Sequence, residues 1–439
     1  MAALTDYEAC LENMYSLRRF GIKLGLSTIR NILKGLGNPQ KRFTGIHIAG
    51  TNGKGSIASG IASILKASGY RVGLYTSPHL VRFNERIQID GKEISDHRVV
   101  DAYNAVRHVH YGDREPTFFE FATAMAFHEF AAKGVDWGII ETGMGGRLDA
   151  TNILQPAVCV ITNISLEHKS YLGNTIAEIS GEKAGIIKKH IPVVTGVRQK
   201  QARAVVSDMA TAKSAPLFQF GKDFRVRRKP NGGFDYYGFT STWKDLNTSL
   251  MGRHQVDNAA IMLAVCEVLK QNGTAIQEQD LRKGLTQINW PGRLEKVSDA
   301  PMIILDGAHN LSAARNLAKL LRRDLKTRKI TMVLGMLDDK PYKQMLQALV
   351  PICRRVILTR PVIDRALEPH QLFEAARHLA ENITVVADVD TAVKSAVTTA
   401  KKDDVICIAG SLYVVGEAKQ ALAKMGIGKV APQQFFLQV

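Results

Sequence analysis

The chain has 439 residues, 45% of them hydrophobic and 23% charged, which is the balance of a soluble globular protein too long for a single core, so two or three domains are expected. No run approaches the roughly eighteen apolar residues of a membrane span, and the N-terminal stretch MAALTDYEACLENMYSLRRF has no signal-peptide h-region, so a cytoplasmic location is expected. A formal net charge of +17 predicts attraction to an anionic partner, but the basic residues are dispersed and only 225–229 and 322–329 are dense; no nucleic-acid motif accompanies them, and small polyanionic substrates suit the same field.

Residues 5–37 read as two helical pieces. Tyr7, Leu11, Met14, Tyr15 and Leu17 recur at helical spacing, as do Ile29, Ile32 and Leu33 before Gly35 and Gly37 stop the run. The stretch 43–56, FTGIHIAGTNGKGS, then passes from an apolar run (Ile46, His47, Ile48, Ala49) through glycines 50, 53 and 55 into a helix-periodic segment. Strand, glycine-rich turn and helix is how a chain wraps phosphate. Glycines let backbone N–H groups crowd round anionic oxygens, the helix start offers unpaired donors, and Lys54 adds a point charge. The common P-loop spacing is not met, since Ile48 and Gly55 stand where it wants a glycine and a Ser or Thr.

A strand at 71–76 leads to Ser77-Pro78-His79-Leu80, and 86–89 with Asp90-Gly91 predicts a hairpin. After an apolar, aromatic helix at 117–132, a strand at 135–140 ends in Glu141 and the glycine-rich 142–152. A carboxylate at a strand tip suits Mg²⁺ beside phosphates, because hard cations take oxygen ligands and keep waters; a turn-capping carboxylate is the alternative. A strand at 157–162 ends in 163–168 with Glu167 and His168, a helix at 176–187 carries Glu182 and Lys183, and a strand at 191–195 completes a doubly wound domain. From 217 to 250 short aromatic-rich pieces read as a small antiparallel insertion, followed by a helix at 258–269. Pro291 and Gly292 break the pattern, and the domain boundary is set just beyond, giving 1–297 and 298–439. Strands at 302–305, 330–334, 355–358, 384–386 and 405–409 form a second α/β sheet, with Asp306, His309 and Ser411 just past strand ends, where open sheets bind ligands. Two such domains predict closure over a cleft. The five cysteines, Cys10, Cys159, Cys266, Cys353 and Cys407, are scattered, odd in number and without a C-x-x-C pair, which argues against a thiolate zinc site or disulfide framework and fits a reducing compartment.

GTNGKGS at 50–56, TSPHL at 76–80 with FNERI at 83–87, ETGMGGRLDATN at 141–152, EKAGIIK at 182–188 and LDGAHN at 305–310 resemble, in order and over nearly the whole chain, the dihydrofolate synthase/folylpolyglutamate synthase family, the folate branch of the Mur ligases. The resemblance implies an α/β protein with an N-terminal P-loop doubly wound domain of Mur ligase type, preceded by a helical segment and carrying a small β insertion, then a smaller Rossmann-like glutamate-ligase domain. It implies ATP-dependent phosphorylation of a carboxylate on dihydropteroate or a reduced folate, and attack of the L-glutamate amine on the acyl phosphate.

Position by position, the resemblance implies that Gly50, Thr51, Asn52, Gly53, Lys54, Gly55 and Ser56, with Asn258, Arg293 and Asp306, bind ATP. Ser56, Ser77, Glu141 and His168 match Mg²⁺ ligands, with two ions expected. Lys54, Lys183 and His309 match catalytic positions, Lys183 either carbamylated or a plain ammonium paired with Glu182. His309, Ser411 and Arg19 match glutamate-site residues. Asp149 and Ala150 resemble the pterin-pocket version of enzymes that also make dihydrofolate, which favours a bifunctional ligase over one acting only on reduced folates. Glu167 departs from the Asp that the family usually carries before the histidine. The expected partners are dihydropteroate, folates, L-glutamate and ATP, with no nucleic acid and no membrane, in a monomer. A Mur-type ligase acting on a cell-wall nucleotide precursor and a nucleic-acid-binding P-loop ATPase are the alternatives; 20–23 and 147–152 favour folate over the former.

Overall fold

The computed structural model describes residues 5–21 and 23–428, with the backbone alone for 19 and 20. The chain packs as two compact units. The first runs to His79 and resumes over Phe83–Ser249 and Gln255–Asn289; the second takes Leu80–Arg82, Leu250–His254 and the chain from Trp290 onward.

In the first unit α1 (Tyr7–Ser16) and α2 (Ser27–Gly35) precede β1 (Thr44–Ala49), α3 (Lys54–Ala67) and β2 (Val72–Tyr75). β3 (Ile87–Ile89) and β4 (Lys92–Glu93) form the hairpin, with Asp90 at φ 52° and Gly91 at φ 73°, the paired positive φ angles that a two-residue turn demands. α4 (Asp96–Arg107), α5 (Phe118–Ala132), β5 (Trp137–Glu141), β6 (Pro156–Ile161), α6 (Lys169–Leu172), α7 (Ile176–Ala184), β7 (Val193–Thr195), α8 (Lys200–Ala212) and β8 (Leu217–Gln219) follow. The strands order as β4-β3-β2-β5-β1-β6-β7-β8, parallel from β2 to β8. β1 is buried at every residue but its first, as a strand covered on both faces must be, so it reads as continuous rather than alternating apolar sequence. Ile29, Ile32, Phe121, Phe127 and Phe130 belong to one core cluster, and Ile161, Ile179, Ile186 and Val206 to another.

One expectation is corrected here. Residues 217–219 are not part of the insertion; they pair in parallel with β7 and extend the main sheet. The insertion itself is the antiparallel sheet of β9 (Arg225–Arg228), β10 (Phe234–Tyr237) and β11 (Thr242–Leu246). α9 (Arg253–Gln271) and α10 (Glu278–Thr286) complete the unit. α4, α8 and α10 receive no assignment from sequence. The inner stripe of α8 is Ala202, Val206 and Ala210, and α10 buries only Leu281 and Leu285 besides a glycine, so few large apolar residues mark either; α4 buries Val99, Tyr103 and Val106 at helical spacing, a periodicity the sequence does carry.

The second unit contains β12 (Glu295–Asp299), β13 (Met302–Asp306), α11 (Leu311–Asp324), β14 (Ile330–Leu334), α12 (Tyr342–Leu349), β15 (Arg355–Arg360), α13 (Pro369–Ala376), β16 (Ile383–Asp388), α14 (Val389–Thr399), β17 (Val405–Ala409) and α15 (Leu412–Lys424). Its sheet runs β12-β13-β17-β14-β15-β16, parallel apart from the antiparallel edge strand β12, which sequence reading misses. Separate apolar clusters contain residues of α11, α12 and α13 and of α14 and α15, the doubly wound arrangement.

Candidate active site

β1, β2, β5 and β6 are neighbours in the first sheet, so their C-terminal ends bring residues 50–56, 77, 141 and 162–168 to one edge, where an open parallel sheet binds its ligand. The glycine-rich turn leaves β1 at Gly50, whose φ of 149° is combined with a close approach to the Thr162 hydroxyl, so no side chain fits there. Gly53, at φ 86°, caps α3. The turn is held from β6: Thr162 Oγ1 and Asn163 Nδ2 donate to the Asn52 carbonyl at 2.7 and 2.8 Å, and Asn52 N–H donates to Asn163 Oδ1 at 3.0 Å. Ser165 N–H donates to Thr51 Oγ1 at 3.0 Å. The loop is thereby preformed ahead of α3, whose first N–H groups have no partner within the helix.

Lys54 Nζ donates to the Gly50 and Thr51 carbonyls at 3.1 and 3.3 Å and lies 3.9 Å from Glu141 Oε1. Glu141 is buried, and its other oxygen accepts Ser77 N–H at 3.3 Å. Lys183 reaches the same carbonyl from α7. Its Nζ donates to Gly50 O at 2.9 Å and to Glu167 Oε1 at 3.0 Å. The alternative of an ammonium paired with Glu182 is therefore corrected in its partner: Glu182 pairs with Arg147 at 2.8 Å, and Glu167 is the partner of Lys183. Helix geometry explains this, since adjacent residues point to different faces. Burial lowers the Lys183 pKa to about 8, with Glu167 opposing the shift and Lys54 adding to it. Burial acting on Glu167 favours its acid, but Lys183, Lys54 and His168 together hold its pKa below the ordinary value.

Ser56, buried at the start of α3, receives Gln255 Nε2–H at 3.4 Å, and Asn258 Nδ2 donates to Gln255 Oε1 at 2.8 Å. A Cβ on Gly53 would stand 3.0 Å from Asn258 Oδ1, so Asn258 closes over the turn. His168 is exposed and left-handed at φ 47°, capping the short α6. The structure thus joins Lys54, Ser56, Ser77, Glu141, Lys183 and Asn258 around the 50–56 turn. Thr162, Asn163, Ser165 and Gln255 are the residues to which sequence reading gives no role; the place of 162–165 at a strand end beside Glu141 was the available signal.

Asp149 lies in the turn before β6. Its Oδ2 accepts Met144 N–H at 2.9 Å, and its Oδ1 accepts both the backbone N–H, at 3.0 Å, and the hydroxyl of Thr151. Burial raises its pKa, opposed by these hydrogen bonds. Ala150 is buried beside it. In the second unit Arg293 donates to the Gly307 carbonyl at 3.0 Å, and His309 Nδ1 donates to the same oxygen at 2.8 Å. Asp306 accepts Leu294 N–H at 2.9 Å and Ala308 N–H at 3.0 Å, and burial raises its pKa. Ser411 is buried and caps α15 through Val414 N–H at 3.1 Å. The Arg19 side chain lies outside the described residues, as does Ile22.

A phosphate cradle with a lysine, a buried carboxylate and hydroxyls can hold a nucleotide triphosphate with a hard cation and support phosphoryl transfer, which needs positioning and charge neutralisation rather than covalent help. Among the described residues no three or more His, Cys, Asp or Glu side chains gather as a metal cluster.

Residues 48–266 match the Mur ligase middle domain and residues 292–412 the Mur ligase glutamate ligase domain. The fold is that of the Mur ligases, and the chain is an ATP-dependent ligase of that type. The dihydrofolate synthase/folylpolyglutamate synthase of Bacillus subtilis (strain 168) is 38% identical over 430 residues, covering 95% of this chain and 99% of that protein. The chain belongs to the dihydrofolate synthase/folylpolyglutamate synthase family. E. coli FolC, solved in complex with DHPP and ADP, superposes with a TM-score of 0.90 at 30% identity, covering 97% of this chain and all of the other. A bifunctional folylpolyglutamate synthase/dihydrofolate synthase solved with Mn, AMPPNP and L-glutamate gives a TM-score of 0.85 at 32% identity, covering 96% and 99%. No helix of the described residues is long and apolar enough to cross a membrane.

Proposed function

We propose that the protein is a bifunctional ligase that adds L-glutamate to dihydropteroate and, repeatedly, to reduced folates, at the expense of ATP. The observation that carries the reading is the 50–56 turn with Lys54 and Lys183 both on the Gly50 carbonyl, in a chain that aligns with this family over nearly its whole length. A carboxylate resists amide formation until one oxygen becomes a leaving group. The acceptor carboxylate oxygen takes the γ-phosphoryl group and ADP departs; the glutamate amine then attacks the acyl carbon, phosphate leaves with the bonding electrons, and the amine proton is lost.

In this reading the 50–56 amides cradle the phosphates and Lys54 moves from its loop carbonyls to the transferring phosphoryl group. Mg²⁺ fits the donor set: Glu141 gives a buried carboxylate, Ser56 and Ser77 hydroxyls, and His168 an imidazole. When bound, Mg²⁺ would neutralise phosphate charge. Lys183, with its pKa lowered to about 8, has enough neutral amine for its nitrogen to add to the carbon of CO₂ and release a proton to solvent, giving a carbamate, which would turn a cation into an anion beside the phosphates. Asn258, Arg293 and Asp306 contact the nucleotide, His309, Ser411 and Arg19 serve glutamate, and the Asp149–Ala150 turn serves the pteridine. The working form is a cytoplasmic monomer that uses neither nucleic acid nor membrane.

Product analysis after incubation with ATP, glutamate and either dihydropteroate or tetrahydrofolate tests both activities together. Glutamylated product and ADP are expected with each acceptor. ATP turnover stimulated by DNA or RNA, and not by either acceptor with glutamate, would overturn the reading; product with tetrahydrofolate alone would reduce the enzyme to one activity.

A further inference from the structure

His47 lies in the middle of β1, wholly buried, two residues before the strand ends. A strand buried on both faces calls for an aliphatic side chain here, and a histidine left without hydrogen bonds would be costly. Its Nε2 stands 2.8 Å from Thr151 Oγ1, and no partner meets Nδ1. The direction of the bonds follows from counting protons. The single hydroxyl proton of Thr151 goes to the Asp149 carboxylate, so Thr151 Oγ1 must accept from His47, which places the imidazole proton on Nε2 and leaves Nδ1 a bare lone pair. Burial, with Lys188 adding to it, pushes the His47 pKa down to about 3, so this neutral form holds throughout the physiological range.

The relay continues outward. Asp149 accepts Met144 N–H and Thr151 N–H, which ties the two ends of the glycine-rich 143–153 turn together. The same turn is bound to α7, since Arg147 N–H donates to Glu182 O at 2.7 Å and Asn152 Nδ2 donates to Gly185 O at 3.1 Å.

We infer that His47 is a positioning residue for acceptor binding: from within the sheet it fixes, through Thr151, the Asp149 carboxylate that shapes the 143–153 turn. The inference rests on the reading above that this turn meets the pteridine acceptor. The phosphate turn that follows β1 has its own supports at Thr162, Asn163 and Ser165 and does not depend on the imidazole.

The test uses H47L, H47Q, T151V and T151S in the full-length enzyme. Gln places an amide N–H near the site of Nε2, and Ser keeps the hydroxyl. H47L and T151V should each raise KM for dihydropteroate roughly tenfold with KM for ATP within about twofold of wild type, and H47Q and T151S should return the acceptor KM to within about threefold. An equal rise in both KM values, or Gln no better than Leu, would overturn the inference. If H47L fails to fold, the T151V and T151S pair decides by the same criteria. Amide hydrogen exchange on the variants needs no acceptor: protection should fall at Met144 and Thr151 and stay unchanged over 50–56, and unchanged protection at 144 and 151 would defeat the relay. Wild-type enzyme that turns over neither acceptor would defeat the functional reading alone, with exchange still judging His47.

Discussion

Lys54 and Lys183 share the Gly50 carbonyl although 129 residues separate them in the chain (183 − 54), and each has a carboxylate close by, Glu141 for one and Glu167 for the other. Two cations converging on one oxygen is an arrangement prepared for anions. Lys54→Ala should lower turnover with both acceptors by at least about 10³-fold while leaving the melting temperature within a few degrees, because the 50–56 turn keeps its supports at Thr162, Asn163 and Ser165 and the lost charge aids phosphoryl transfer more than folding; near wild-type turnover would refute the phosphate-turn assignment. Lys183 gives a pH signature. Its unfolded pKa is the ordinary 10.5 and its folded pKa about 8, so between these values the unfolded chain binds more protons and the Lys183 contribution to stability rises with pH. Denaturant unfolding of wild type and Lys183→Met from pH 8 to 10.5 should show the extra slope in wild type alone. Carbamylation is read separately: ¹³C-bicarbonate should give a carbamate resonance that Lys183→Arg lacks.

At the scale of elements, α5 shows what pattern reading sees and what it does not. The helix is buried nearly all round, so no apolar stripe marks it, yet its start is written in Thr117-Phe118-Phe119-Glu120. Thr117 Oγ1 accepts Glu120 N–H at 3.2 Å, Glu120 Oε2 accepts Thr117 N–H at 2.8 Å, and Arg114 clasps the carboxylate from outside at 2.8 and 2.9 Å. Thr117→Ala should cost about 1–2 kcal/mol, measurable as a lowered denaturant midpoint with an unchanged slope. In the second unit the loop after β15 is held to α15 by Glu417, whose Oε1 accepts Val362 N–H at 2.7 Å. Burial raises the Glu417 pKa to about 7, with Asp388 contributing and the Val362 bond opposing. The folded state thus holds this proton more tightly than the unfolded chain, so its stabilising effect is complete below pH 4.5 and is lost as pH rises through about 7. Glu417→Gln, which cannot ionise, should flatten the stability profile between pH 4.5 and 7 and be the more stable form at pH 8; parallel profiles would rule the group out.

For the whole molecule, the charge of +17 and the anionic character of ATP, glutamate and folates point to steered association. Raising ionic strength from about 0.05 to 0.5 M, which shortens the screening length several-fold, should raise KM for ATP and glutamate several-fold with little change in kcat. An unchanged KM would mean that the basic surface serves something else. The alternation of strand and helix, the glycine-rich turn between β1 and α3 and the carboxylate at the tip of β5 were legible in the chain because each is a local pattern, set by backbone freedom at glycine, apolar periodicity and the end of a strand. The order β4-β3-β2-β5-β1-β6-β7-β8 was not, nor was the parallel pairing of β8, since a three-residue strand carries almost no periodicity. The partner of Lys183, the bond from Gln255 to Ser56 across 199 residues and the one from His47 to Thr151 across 104 were equally hidden. Such pairs bear no mark in their own neighbourhoods. They exist because tertiary packing sets helices, strands and turns from distant parts of the chain side by side, and a buried polar group must then bond to whatever that packing places beside it.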